Sequence, residues 1–120
     1  DHRQVAMAEE FIIAEGDKHK RYSLLYKQIA ALVEGESDPI ARMANIAAMI
    51  HHTFHFWWTG FYRVVGEELI LGPFQGPVAC CRIAYGRGVC GTAWHKGCSE
   101  HLATFDECDR QWLERITALI

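Results

Sequence analysis

The sequence predicts an α+β domain, with helices collected on one side of an antiparallel sheet. Three observations carry the α+β reading. Apolar residues recur at helical spacing through the first half, a tight Gly66–Glu67 turn joins two strand-like runs, and a capped amphipathic helix closes the chain. With 120 residues, 50% of them hydrophobic, one core suffices, since a domain usually takes about 100–200 residues. That apolar content excludes a disordered or collagen-like chain.

The N-terminal stretch sets Phe11, Ile12 and Ile13 beside Glu9 and Glu10 and reads as a short helix. A second helix is predicted from about Arg21 to Val33. Tyr22, Leu25, Ile29, Leu32 and Val33 lie on one stripe, and Gly35 ends it. Asp38 is the N-cap of the next helix, and Pro39 suits its first position, where the missing N–H costs nothing. Ile40, Met43, Ala44, Ala47 and Ile50 form its expected buried face, and fraying is expected near His52. From Phe56 the pattern becomes strand, turns at Gly66–Glu67 and returns over Glu68 to Leu71 as a hairpin. Arg82–Tyr85 reads as a third strand, followed by a Gly86–Arg87–Gly88 turn and a short helix from about Val89 to His95. Thr104 and Glu107 make a capping box for the last helix, whose stripe is Phe105, Cys108, Trp112, Ile116 and Leu119.

Net charge is −3 and the isoelectric point is near 6.2, which argues against a nucleic-acid partner, because phosphate contacts call for a basic field. The run Lys18–His19–Lys20–Arg21 reads as a solvated face at a helix start. Apolar runs fall far short of the ~18 residues of a membrane span, and no basic-then-apolar leader opens the sequence. A soluble, cytoplasmic protein without membrane contact is the expectation. Five cysteines cannot all pair within one chain. In a reducing compartment, those that are not core filler tend to be redox-active or metal-bound.

In the first strand, Trp58, Gly60, Tyr62 and Val64 share one side. Gly60 leaves a gap between two large aromatics that would admit a small apolar group, with the Tyr62 hydroxyl and the Trp58 indole N–H as orienting donors. The plainer alternative makes both rings core, with Gly60 admitting a helix. Cys90 falls in the first turn of a predicted helix, where free N–H groups, the helix dipole and nearby Arg87 favour a thiolate. Cys80 lies on the stretch leading into the same turn, and the two are redox candidates. Cys81, Cys98 and Cys108 read as inert buried residues.

Gly86–Arg87–Gly88–Val89–Cys90–Gly91 matches a dinucleotide fingerprint, yet no parallel βαβ unit surrounds it. His51, His52 and His55 lack the C-x-x-C or H-E-x-x-H context of zinc sites and read as histidines at a helix end. No cofactor and no metal are expected.

The segment WWTGFYRVVGEELILGPFQGPVACCRIAYGRGVCGTAW resembles the signature of free methionine-(R)-sulfoxide reductases, which are single GAF domains. LLYKQIAALVEGESDPIARMANIAAMI before it and SEHLATFDECDRQWLERI after it are also similar to this family. The resemblance implies thiol-dependent reduction of free L-methionine (R)-S-oxide to L-methionine. It proceeds through a cysteine sulfenic acid and an intramolecular disulfide that thioredoxin reduces. Trp58 and Tyr62 match residues lining the family's pocket for the methylsulfinyl end, Cys80 matches the resolving cysteine, and Cys90 the other redox-linked cysteine. A non-catalytic GAF sensor is the alternative, and a homodimer is compatible with either.

The chain also departs from the pattern. The family carries about 45 further residues between the GTAW helix and the terminal helix, enough for several strands. They include a nucleophilic cysteine in a GHIAC-like motif and acidic residues for the substrate's ammonium group. Here Trp94–His95–Lys96–Gly97–Cys98 runs straight into Ser99–Glu100–His101. The expectation is one GAF domain over 1–120 lacking an internal segment between about Lys96 and Ser99, with a long sheet edge left unpaired.

Overall fold

A computed structural model describes residues 16–84 and 106–120. The N-terminal helix, the Gly86–Gly88 turn and the helix predicted after it lie outside the described residues, as do Tyr85, Thr104 and Phe105. The described elements are α1 (Lys18–Glu34), α2 (Pro39–Phe54), β1 (Thr59–Val65), β2 (Glu68–Gln75), β3 (Arg82–Ala84) and α3 (Glu107–Thr117). The strands form one antiparallel sheet in the order β1-β2-β3, so among the described residues β1 has a neighbour on one side only.

Helix α1 begins earlier than its apolar stripe predicts, because Asp17 caps it by accepting from Lys20 N at 2.9 Å. It ends at Gly35, and Tyr22, Leu25, Ile29 and Val33 are buried as expected. Asp38 caps α2 through the Ile40 and Ala41 amides, with Pro39 in the first turn. Its buried face is rotated from the expected one. Met43, Ile46, Ala47, Ile50 and Thr53 are buried, Ala44 is exposed, and Ile40 is 61% exposed. The seam therefore starts one turn later and continues past His52. Phe54 packs against the core and holds the last turn, and His55 ends the helix in the left-handed region at φ 55°, donating its amide to His51 O at 2.8 Å.

The main core lies between the three helices and joins Tyr22, Leu25, Ile29, Val33, Ile46, Ile50, Trp112 and Ile116. Phe61 of β1 packs against it, which sets one face of the sheet toward the helices. By strand alternation Gly60 and Tyr62 point away from that layer.

The basic run is more than a solvated face. Lys18 Nζ lies 2.8 Å from the buried carboxylate of Asp109 and 3.3 Å from Asp106. His19 accepts from Trp112 Nε1, and Arg21 donates to Thr53 O while its guanidinium lies over the Phe54 ring. Lys20 is exposed, as expected, and has no such tie among the described residues. The capping box of α3 sits two residues beyond the expected Thr104–Glu107 pair. Asp106 and Asp109 accept from each other's backbone amides at 3.2 and 3.0 Å.

Asp109 also accepts from the Tyr22 hydroxyl at 2.5 Å, so one carboxylate caps α3 and clamps it to α1. Burial and the Asp109 carboxylate hold the Tyr22 phenol well above its ordinary range, and it stays a donor. Replacing Asp109 strands the buried Tyr22 hydroxyl and leaves Lys18 with Asp106 as its remaining partner. Asp109→Ala is therefore expected to destabilise the fold by about 3–5 kcal/mol in urea denaturation, and a loss under 1 kcal/mol would show that the clamp contributes little.

Candidate functional site

The hairpin builds the site. Gly66 takes φ 62° at the first position of the two-residue loop, a conformation glycine adopts without steric cost, and Val65 pairs with Glu68 across it. β2 continues beyond the expected Leu71 to Gln75. Between Gly60 and Tyr62 the register shifts, because two β2 residues, Gly72 and Pro73, oppose the single residue Phe61. Proline has no N–H for the ladder, so it sits at this bulge. Gly72 lies close against the Phe61 carbonyl, where a methyl group would come within 3.0 Å.

The bulge sets Phe74 opposite Gly60. Trp58 stacks on Tyr62 at 5.9 Å and on Phe74 at 5.6 Å between ring centroids. The gap expected over Gly60 is consequently filled. A methyl group there would lie 2.3 Å from Phe74 Cβ and 2.7 Å from Trp58 Cη2. Gly60 admits neither ligand nor helix; it lets the Trp58 ring fold down against Phe74. The result is a three-ring aromatic surface on the side of the sheet away from the core helices.

Past β2 the chain reverses at Gly76, whose φ of 123° favours glycine and where a methyl group would meet Trp57 O at 2.7 Å. The returning segment brings the Cys80 carbonyl to the Tyr62 hydroxyl, which donates to it at 2.8 Å. A phenol reaches only atoms on its own side of a sheet, so the Cys80 main chain lies on the aromatic side. The Tyr62 proton is thereby engaged, which corrects its expected part as a donor to a ligand. Trp58 Nε1 is different: it is buried and has no hydrogen-bond partner among the described residues. A desolvated N–H left unmatched costs about 1–3 kcal/mol, and an acceptor on a bound molecule would recover it.

Cys80 and Cys81 are both free and exposed, so Cys81 is not the buried filler expected of it. Cys81 precedes β3 and its carbonyl accepts from Leu71 N at 2.9 Å, which leaves its side chain uncovered at the sheet rim. Cys108 is half-buried on the helical side, and burial with the nearby Asp106 and Asp109 charges pushes its thiol up. Cys90 and Cys98 lie outside the described residues. His52 Nδ1 lies 2.7 Å from Ala48 O and His51 Nδ1 3.5 Å from Thr59 Oγ1, so these rings are engaged locally. Among the described residues no helix is long and apolar enough to cross a membrane.

No family model matches the sequence. The GAF domain-containing protein A of Dictyostelium discoideum is 52% identical over 91 residues, 75% of this chain and 58% of that protein. A free methionine-R-sulfoxide reductase of Escherichia coli is 44% identical over 78 residues, 64% of this chain and 47% of that protein. The X-ray structure of a free methionine-R-sulfoxide reductase from Neisseria meningitidis in complex with its substrate superposes with a TM-score of 0.83 at 34% identity, covering 91% of each chain.

The chain belongs to the free methionine-R-sulfoxide reductase family, with the GAF fold. It spans about half the length of the curated relatives it matches. In this family member the aromatic surface, the Gly76 reversal and Cys80 form one unit, and Phe74 is the wall that strand alternation in β1 alone does not reveal. Proline within β2 is the sequence signal for the bulge that brings it there.

Gly60→Ala tests the unit. Its methyl group would drive Trp58 and Phe74 apart, at an expected cost of about 1–3 kcal/mol, and the near-ultraviolet circular dichroism of the stacked rings would weaken. An unchanged spectrum and stability would mean that the rings do not close over this glycine.

Proposed function

We propose that this chain supplies the binding surface and two redox thiols for reduction of free L-methionine (R)-S-oxide to L-methionine. The hydrogen bond from Tyr62 to the Cys80 carbonyl carries the reading, because it couples a surface suited to a methyl thioether with the segment bearing a free thiol. The names of the Escherichia coli and Neisseria meningitidis relatives supply the substrate.

Trp58, Tyr62 and Phe74 would pack on the methylsulfinyl end, and the unmatched Trp58 N–H would donate to the sulfoxide oxygen. A thiolate attacks the sulfoxide sulfur, methionine departs, and the oxygen remains on the enzyme as a sulfenic acid. This sequence has no GHIAC-like cysteine, so we assign the attack to Cys90, whose expected setting beside Arg87 favours a thiolate. Cys80 then displaces water from the sulfenic acid, forming a Cys80–Cys90 disulfide. A thioredoxin dithiol returns both cysteines to thiols. Each cycle moves two electrons from thioredoxin to one sulfoxide, and the reading includes a cytoplasmic setting, where thiols are kept reduced. A single GAF domain over 1–120, lacking the family segment between about Lys96 and Ser99, is part of this reading, and a homodimer is compatible with it.

The test is methionine formation from free L-methionine (R)-S-oxide with thioredoxin, thioredoxin reductase and NADPH. Sustained turnover is expected for the wild-type chain, whereas Cys80→Ser should stop near one equivalent of methionine because its sulfenic acid is never resolved. Calorimetric binding of the sulfoxide with no methionine released would instead select a GAF sensor and overturn the catalytic reading.

A further inference from the structure

Cys80 and Cys81 are consecutive, exposed and free, and the Cys80 carbonyl is tied to Tyr62 of the aromatic surface. Their backbones are tied independently. The Cys80 carbonyl accepts from the Tyr62 hydroxyl and the Cys81 carbonyl from the Leu71 amide, so two adjacent peptide groups are fixed while two thiols face solvent. The dipeptide lies just before β3, outside its pleat. The neighbouring Arg82 guanidinium is engaged by Glu68 at 3.2 Å.

Such a pair is poorly shaped for a direct disulfide. Consecutive Cα atoms across a trans peptide are about 3.8 Å apart, whereas disulfides usually span about 4.4–6.8 Å between Cα atoms. Inserting one larger, thiophilic atom between the sulphurs widens the ring and relieves that constraint. Soft thiolate donors select soft acceptors.

We propose that Cys80 and Cys81 form a vicinal dithiol site that chelates trivalent organoarsenicals through both sulphurs. The reaction balances without an oxidant. Two S–H bonds and the arsenic–oxygen double bond break, two As–S bonds form, one water leaves, and arsenic stays trivalent. The site needs neither sulfoxide turnover nor Cys90, so it stands or falls separately from the reductase reading.

The experiment treats the reduced 120-residue chain with phenylarsine oxide and follows it by intact mass and tryptic mapping. Cleavage after Arg63 and Arg82 leaves Cys80 and Cys81 together in peptide 64–82. Cys90 falls in 88–96, and Cys98 and Cys108 in 97–110. One adduct is expected, confined to peptide 64–82 and released by a small dithiol. Because two tethered donors bind far more tightly than one, Cys80→Ser and Cys81→Ser should each lose about a hundredfold in affinity, while Cys98→Ser keeps it. Both thiols are exposed, so the serine variants test chelation rather than folding. An adduct bridging 64–82 to 88–96, full affinity in Cys81→Ser, or no adduct at all would overturn the proposal.

Discussion

The hydrogen bond between the Tyr62 hydroxyl and the Cys80 carbonyl is the contact on which the candidate site depends. Tyr62 belongs to the hairpin and Cys80 to the segment that returns after it, and neither element alone brings a thiol to an aromatic surface. The bond needs three earlier conditions. The Gly66 turn must set the hairpin, the Gly72–Pro73 bulge must bring Phe74 under Trp58, and Gly76 must turn the chain back over Trp57 and Trp58. Each condition is local, and each uses a residue chosen for what it lacks: a side chain in the glycines, a backbone N–H in the proline.

Behind the hairpin, the helices provide a platform held by a different kind of force. Its apolar seam is ordinary, but one buried carboxylate fixes how α1 meets α3. Asp109 is 1% exposed and satisfied by Tyr22, Lys18 and the Asp106 amide. Arg42 does comparable work at the opposite end, donating to Val33 O at 2.9 Å and to Leu119 O at 3.1 Å, which gathers the ends of α1 and α3 around α2. Phe61 then transmits this platform to β1. The division of labour resembles that of many binding domains, in which a packed layer supports a face reserved for chemistry.

Much of this was legible in residue order. Helical stripes located α1 and α3, the Asp38–Pro39 pair marked the start of α2, and the Gly66–Glu67 turn gave the hairpin. What periodicity could not reveal were the long-range polar ties. Lys18 looked solvated because its partners lie some ninety positions away, and the stripe of the last helix gave no sign that Asp109 is buried. The gap over Gly60 was read from alternation in β1 alone; counting back from the turn puts Pro73 opposite Gly60, and the bulge moves Phe74 there to fill it. Trp58 and Tyr62 were visible as neighbours on one face, but the Tyr62 proton's engagement with Cys80 depends on a reversal that no pattern in β1 encodes.

In the proposed function, the thiol at position 80 and the aromatic surface beside it serve one oxidation. The most direct measurement is to treat the reduced chain with free L-methionine (R)-S-oxide, without any reductant, alkylate the remaining thiols and identify linked peptides by mass spectrometry. The expected result is a disulfide joining Cys80 to Cys90, with Cys108 alkylated. Recovery of all five cysteines as free thiols, under conditions where the sulfoxide is bound, would contradict it.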